Sequence, residues 1–137
     1  MTSRATWVRG GLLALAVSQG ATGLWALASP HAFWSSFPGF GRHWLRPLGP
    51  YNDELVRDFG AMYVALSAAL SYASLVMDSG AIRAALIGQV AFLVLHAYFV
   101  SFKLSLLPAG DAAGLMGGIV VTLVVASALL VATRHDR

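Results

Sequence analysis

The sequence predicts an all-α integral membrane protein, a four-helix bundle with an aromatic interfacial connection between its first and second helices. Two measures of composition and one of pattern carry that expectation. Of the 137 residues, 58% are hydrophobic and 11% are charged, where a soluble domain carries about 25% charged residues. The mean hydropathy is +0.71. Apolar runs at about 8–28, 55–77, 82–102 and 112–133 each meet the roughly 20 residues that a helix needs to cross hydrocarbon. The length suits one domain over residues 1–137.

The first span follows a start that carries Arg4 and Arg9 without an acid, and it is interrupted only by Ser18, Gln19 and Thr22 among small and apolar residues. A basic start, an apolar run and Ala26-Leu27-Ala28 before Ser29 also fit a signal peptide with a cleavage site. The length of the run, with Gln19 and Trp25 inside it, favours a retained helix. Residues 29–52 contain four of the five prolines, yet they are rich in Phe33, Trp34, Phe37, Phe40, Trp44, Leu45 and Leu48. Aromatic side chains favour the headgroup level, and Arg42 and Arg46 can snorkel there. This stretch is expected to form one or two short segments on the membrane, folded back over the bundle.

The second span begins from the most charged part of the chain, with Asp53, Glu54, Arg57 and Asp58 inside six residues. Asn52 is a good N-cap, and Asp53 and Glu54 occupy the first turn, where the helix dipole favours acids. Arg57 lies four residues after Asp53 and three after Glu54, so a local ion pair is expected. The helix is expected to stop near Asp78-Ser79-Gly80, with an antiparallel neighbour after that short turn. The third span carries Gln89 and His96, a loop from Lys103 to Asp111 follows, and the fourth span is the most apolar. An even number of spans places both termini on one side. That side holds Arg4, Arg9, Arg83, Arg134 and Arg137 against Arg42, Arg46, Arg57 and Lys103 on the other, a small bias toward cytoplasmic termini.

Gln89, His96 and Lys103 are seven residues apart, a spacing that keeps them near one helical stripe. Lipid penalises such a stripe, so it should face the interior, as should Gln19 near mid-membrane. Counted from the middle of their spans, Asp58 and Lys103 lie at a similar depth, ~15 Å out, with His96 at ~6 Å. Two readings follow. In one, Asp58, Lys103, His96, Gln89 and Gln19 reach into a polar cavity beneath the long connection, with Asp58 paired to Lys103 and Arg57 nearby. In the other, these groups only fix helix register. For Asn52, Asp53, Glu54 and Arg57 the structural role, a charged turn tying the connection to the bundle, is the stronger reading. Gly114 and Gly118 form a GxxxG in the fourth span, and Gly20 and Gly23 supply small residues in the first. Both sets suit close helix packing.

Several classes are excluded or disfavoured. No cysteine is present, which removes disulfides and thiolate metal sites. Of His31, His43, His96 and His135, only His96 falls within a span, so two facing axial haem ligands are not supplied. No HxxxH or HExxH suggests zinc, and no Walker loop, GxGxxG or GxSxG is found. No cofactor and no metal is therefore expected. The net charge of +3 comes from scattered Lys and Arg with no basic run, so nucleic acid is not an expected partner.

Gly49-Pro50-Tyr51-Asn52-Asp53-Glu54-Leu55-Val56-Arg57-Asp58-Phe59-Gly60, leading into the second span with a later His96, resembles the small bacterial four-helix membrane proteins of the DoxX-like type. The resemblance implies a four-helix bundle in a bacterial inner membrane, in a group associated with quinone-linked redox membranes and partner subunits. It transfers no catalytic residue. The leading functional expectation is a membrane protein that binds a lipid-like or quinone-like molecule near Asp58 and His96. One alternative is an accessory subunit, or homo-oligomer, that docks through its GxxxG. The other is a small enzyme with Asp58 or His96 as acid or base, which lacks an identifiable nucleophile.

Overall fold

In the computed structural model, which describes residues 3–133, the helices are α1 (Ser3–Ala28), α2 (Pro30–Ser36), α3 (Asp53–Val76), α4 (Ser79–Ser101) and α5 (Ala109–Ala132). Short 3₁₀ turns occupy Arg46–Leu48 and Leu104–Leu106. Four helices, α1, α3, α4 and α5, are long and apolar enough to cross a membrane. The protein is a multi-pass membrane bundle. Arg134 and Arg137, counted in the charge bias, and His135, weighed as a haem ligand, lie outside the described residues.

Local chemistry sets the ends of these helices. Pro30 has no N–H to continue α1, so the helix breaks at Ser29 and restarts at once as α2 with proline in its first turn. The Asn52 side chain accepts from the Leu55 N–H at 3.1 Å and opens α3, with Asp53 and Glu54 in the first turn. The other end of α3 corrects the expectation. Met77, not Gly80, takes the left-handed C-terminal conformation (φ 52°), and its N–H bonds to the Ala73 carbonyl. Asp78 then accepts from Ala81 N–H at 2.8 Å and starts α4 at Ser79, so Gly80 sits inside the next helix. An aspartate able to cap the following helix leaves no room for a longer turn.

The long helices form a ring in which α1 neighbours α3 and α5, and α4 neighbours α3 and α5. Leu12, Leu70, Leu86 and Leu129 are fully buried at its centre, while Val17, Leu24, Leu75 and Val121 point outward, as a lipid-facing surface requires.

The closest approach is between α1 and α3. A Cβ built on Gly23 would meet the Gly60 carbonyl oxygen at 2.7 Å, and one on Gly60 would meet the Gly23 carbonyl oxygen at 2.8 Å. Backbone therefore touches backbone. Ser67 Oγ donates across the same seam to the Ala16 carbonyl at 2.7 Å. Lipid gives helices no hydrophobic reason to associate, so close packing and interhelical hydrogen bonds of this kind hold them.

Gly23→Ala and Gly60→Ala should each destabilise the bundle by about 1–3 kcal/mol, the usual cost of overpacking. The double variant should cost less than the sum, because the first methyl already parts the seam. Gly117→Ala, whose Cβ would meet nothing within 4 Å, should be near neutral. Thermal unfolding of the four proteins in one detergent measures this.

Candidate functional site

The aromatic connection is a built roof. Trp44 N–H bonds to the Phe37 carbonyl at 2.9 Å and closes a loop whose tip, Gly39, Phe40 and Gly41, has positive φ throughout. Phe40 at that tip is fully exposed. His43 Nδ1–H donates to the Ser35 carbonyl at 2.6 Å, and Trp34 Nε1–H donates to the Gly49 carbonyl at 3.3 Å. The roof is held to the bundle at two places. Arg42 pairs with Asp111 in the first turn of α5, and the Trp44 ring lies where a Gly114 Cβ would be, at 2.8 Å.

Beneath the roof lies a cavity of about 220 Å³ to which every long helix contributes. From α1 come Ser18, Gln19 and Thr22, and from α5 come Gly118 and Thr122. Phe59 and Tyr63, one turn apart on α3, face Leu93 and His96, adjacent turns of α4. Phe33, Phe37 and Trp44 close the top. The aromatic groups interlock: Phe92 stacks on His96 at 5.2 Å, Phe59 lies 4.3 Å from Tyr63, and Phe33 lies 5.8 Å from Phe59. None of the lining residues is Lys, Arg, Asp or Glu.

Gln19 is 3% exposed, and its Oε1 has no hydrogen-bond partner among the described residues. Thr22 and Thr122 donate their hydroxyl protons one turn back, to the Ser18 and Gly118 carbonyls at 2.9 and 2.8 Å. Their oxygens keep acceptor capacity. A second volume of about 470 Å³ lies between the connection and α3, lined by Trp34, Pro50, Leu55 and Val56. It shares Phe33, Leu45, Leu48, Phe59 and His96 with the central cavity.

The structure gathers some of the expected site residues and separates others. Gln19 and His96 line the central cavity. Asn52, besides capping α3, lines the outer groove. Gln89 is fully buried with neither amide atom partnered among the described residues, but it lies outside both spaces. Asp58 is exposed and lines neither space, and the Asp58–Lys103 pair does not form among the described residues. The depth argument had the two residues level but ignored direction. Phe59, Gly60 and Tyr63 hold the inward face of α3, which turns Asp58 outward. Lys103 also leaves the Gln89–His96 stripe, because α4 ends at Ser101 and helical spacing stops there.

The charged turn works as a clasp. Arg57 donates from Nε to Asp53 Oδ2 at 2.7 Å and from Nη1 to the Leu27 carbonyl at 2.7 Å. It pairs with Asp53 rather than Glu54, and it covers a free carbonyl near the negative end of α1. Tyr51 donates to Asp53 Oδ1 at 2.6 Å, and that bond to a carboxylate holds its phenol above the usual pKa. The GxxxG is likewise not a helix seam within the chain. Gly114 seats an indole, and Gly118 faces open space in the cavity wall. Sequence reasoning passed over Ser18, Thr22, Tyr63, Trp44 and Thr122 as site residues. The cluster of Ser18, Gln19 and Thr22 inside an apolar run was the available signal.

No family model, curated protein or solved structure matches the chain.

Arg57→Ala should lower the thermal midpoint, whereas Asp58→Asn should leave it in place, since only Arg57 joins two helices. Gln89→Met should raise stability by about 1 kcal/mol by removing a buried amide without partners; an unchanged or lower midpoint would mean that the amide is satisfied in the membrane.

Proposed function

We propose that the protein binds a small lipid-like or quinone-like molecule in the cavity beneath the aromatic connection. The observation that carries this reading is the cavity itself: a space that all four long helices enclose, lined by Phe59, Tyr63, His96, Gln19, Thr22 and Thr122. Convergent polar groups in a mainly apolar, aromatic pocket are the usual form of a small-molecule site.

The reading moves the centre of the site away from Asp58 and toward Gln19, His96, Thr22 and Thr122. Binding needs no catalysis. The kinship with DoxX-like proteins and the bacterial inner-membrane location belong to the same proposal, carried by the Gly49–Gly60 motif and His96. Cytoplasmic termini rest on the arginine bias alone. The structure groups Arg4 with Met77, Ser79 and Thr133 around one small cavity, while Arg42 pairs with the start of α5 at the connection end.

Native mass spectrometry of the protein released gently from its membrane should show a bound small molecule. Gly118→Leu adds bulk where a Cβ meets nothing within 4 Å, so it should empty the cavity while helical content is kept. Asp58→Asn should retain the molecule. Retention in Gly118→Leu with loss in Asp58→Asn would overturn the reading in favour of a site at the charged turn.

A further inference from the structure

Resting on that reading, we infer that the cavity opens sideways to the bilayer through a window between α1 and α5, and that its occupant is an uncharged molecule entering from the hydrocarbon. The exposure of the lining places the window. Phe33, Leu93, Leu115 and Ile119 line the cavity and are buried, whereas Ser18 on α1 and Gly118 on α5 line it and are exposed. Thr22 and Thr122, one turn on from each, are half-buried. The wall is closed on its inner faces and open where these two helices face each other.

The window has a frame. Toward the far end of the bundle α1 and α5 touch, since a Cβ on Gly11 would meet Leu129 Cδ2 at 2.8 Å. A Cβ on Gly118 would meet nothing within 4 Å, so α1 leaves a gap at that level. At the connection end the gap is bridged by rings. Trp25 of α1 lies 6.2 Å from Phe37, Phe37 lies 5.9 Å from Trp44, and Trp44 packs on Gly114 of α5. The opening lies between those two closures.

Depth decides what the window faces. Ser18 lies ten residues before the end of α1 at Ala28, and Gly118 nine after the start of α5 at Ala109, which is ~15 and ~14 Å of helix rise. In a hydrocarbon core of roughly 30 Å that level is occupied by acyl chains. Thr22 and Thr122 suit the setting, because each hydroxyl already donates one turn back, to the Ser18 and Gly118 carbonyls, and needs no water. A molecule arriving by this route must dissolve in hydrocarbon. The lining, without Lys, Arg, Asp or Glu, offers an ion no counter-charge. A dry cavity of about 150 Å³ accepts benzene, so 220 Å³ suits about one substituted ring.

The test exploits the absence of cysteine. Ser18→Cys with Gly118→Cys places a thiol on each edge of the window, and an uncharged bismaleimide links them in detergent before the full chain is returned to lipid nanodiscs. The probe is duroquinone, an uncharged ring with no free position for thiol addition, followed by native mass spectrometry. The unlinked double variant should bind the probe and exchange it with empty vesicles. Protein linked while empty should lose uptake, and protein loaded first and then linked should lose release. Exchange through linked protein at the unlinked rate, with binding absent in the cavity-filling Leu93→Phe or Leu115→Phe, would overturn the window and leave the cavity reading intact. No probe bound to any form, or binding that neither filling variant changes, would overturn the cavity reading and this inference with it. Ser18→Cys alone should stay monomeric when oxidised in its native membrane. A disulfide-linked dimer would seat a second copy at the window and overturn entry from lipid.

Discussion

The backbone contact between Gly23 and Gly60 is the constraint on which the rest of this bundle depends. Two helices can approach so closely only where neither carries a side chain. Once they do, their carbonyls and hydroxyls come within bonding distance: Ser67 reaches Ala16, and Arg57 reaches Leu27. In lipid these contacts matter more than apolar burial, because a leucine loses little by facing an acyl chain. The α1–α3 pair is thus the fixed half of the molecule. The junction of α1 with α5 is more open, and the space that this leaves is where Ser18, Gln19, Thr22, Gly118 and Thr122 look at one another.

An open space at the centre of a membrane bundle has to be closed above, and the connection between α1 and α3 does that with rings. Phe33, Phe37 and Trp44 form a set of edge-to-face and tilted ring contacts with Trp25, which gives a stiff surface with few rotatable bonds. Its placement is set by Trp44 against Gly114 and by Arg42 against Asp111. The connection is therefore tied to the first turn of α5, far along the chain, as well as to its own ends. Proline-rich sequence is here no sign of a loose linker, because Pro30 starts α2 and Pro47 lies in the Arg46–Leu48 turn.

Local rules made much of this legible. Spans follow from apolar length, and the start of α3 follows from Asn52, Asp53 and Glu54, because caps and dipoles act within one turn. The Arg57–Asp53 pair is local in the same sense. What failed was anything that needed direction around a helix or a partner far along the chain. Asp58 and Lys103 were matched by depth, and depth alone says nothing about which face a residue takes. Gly114 and Gly118 were matched by spacing, yet a glycine's partner is whatever fills the space beside it, here an indole from residue 44 and a cavity. The polar trio in the first span was visible in the sequence, but its hydrogen-bond state was not. That state decides the chemistry of the site.

The same distinction explains why the functional centre shifts from carboxylate to amide. A charged group at the membrane surface finds water or a counter-ion at small cost, so Asp58 can stand exposed without having a function. An amide at mid-depth has no such escape. Gln19 lies nine residues, ~14 Å of helix rise, inside the end of α1, where neither water nor headgroups reach easily. The cavity beside it is lined without Lys, Arg, Asp or Glu, and burying an uncompensated charge there would be costly, so the lining favours an uncharged occupant.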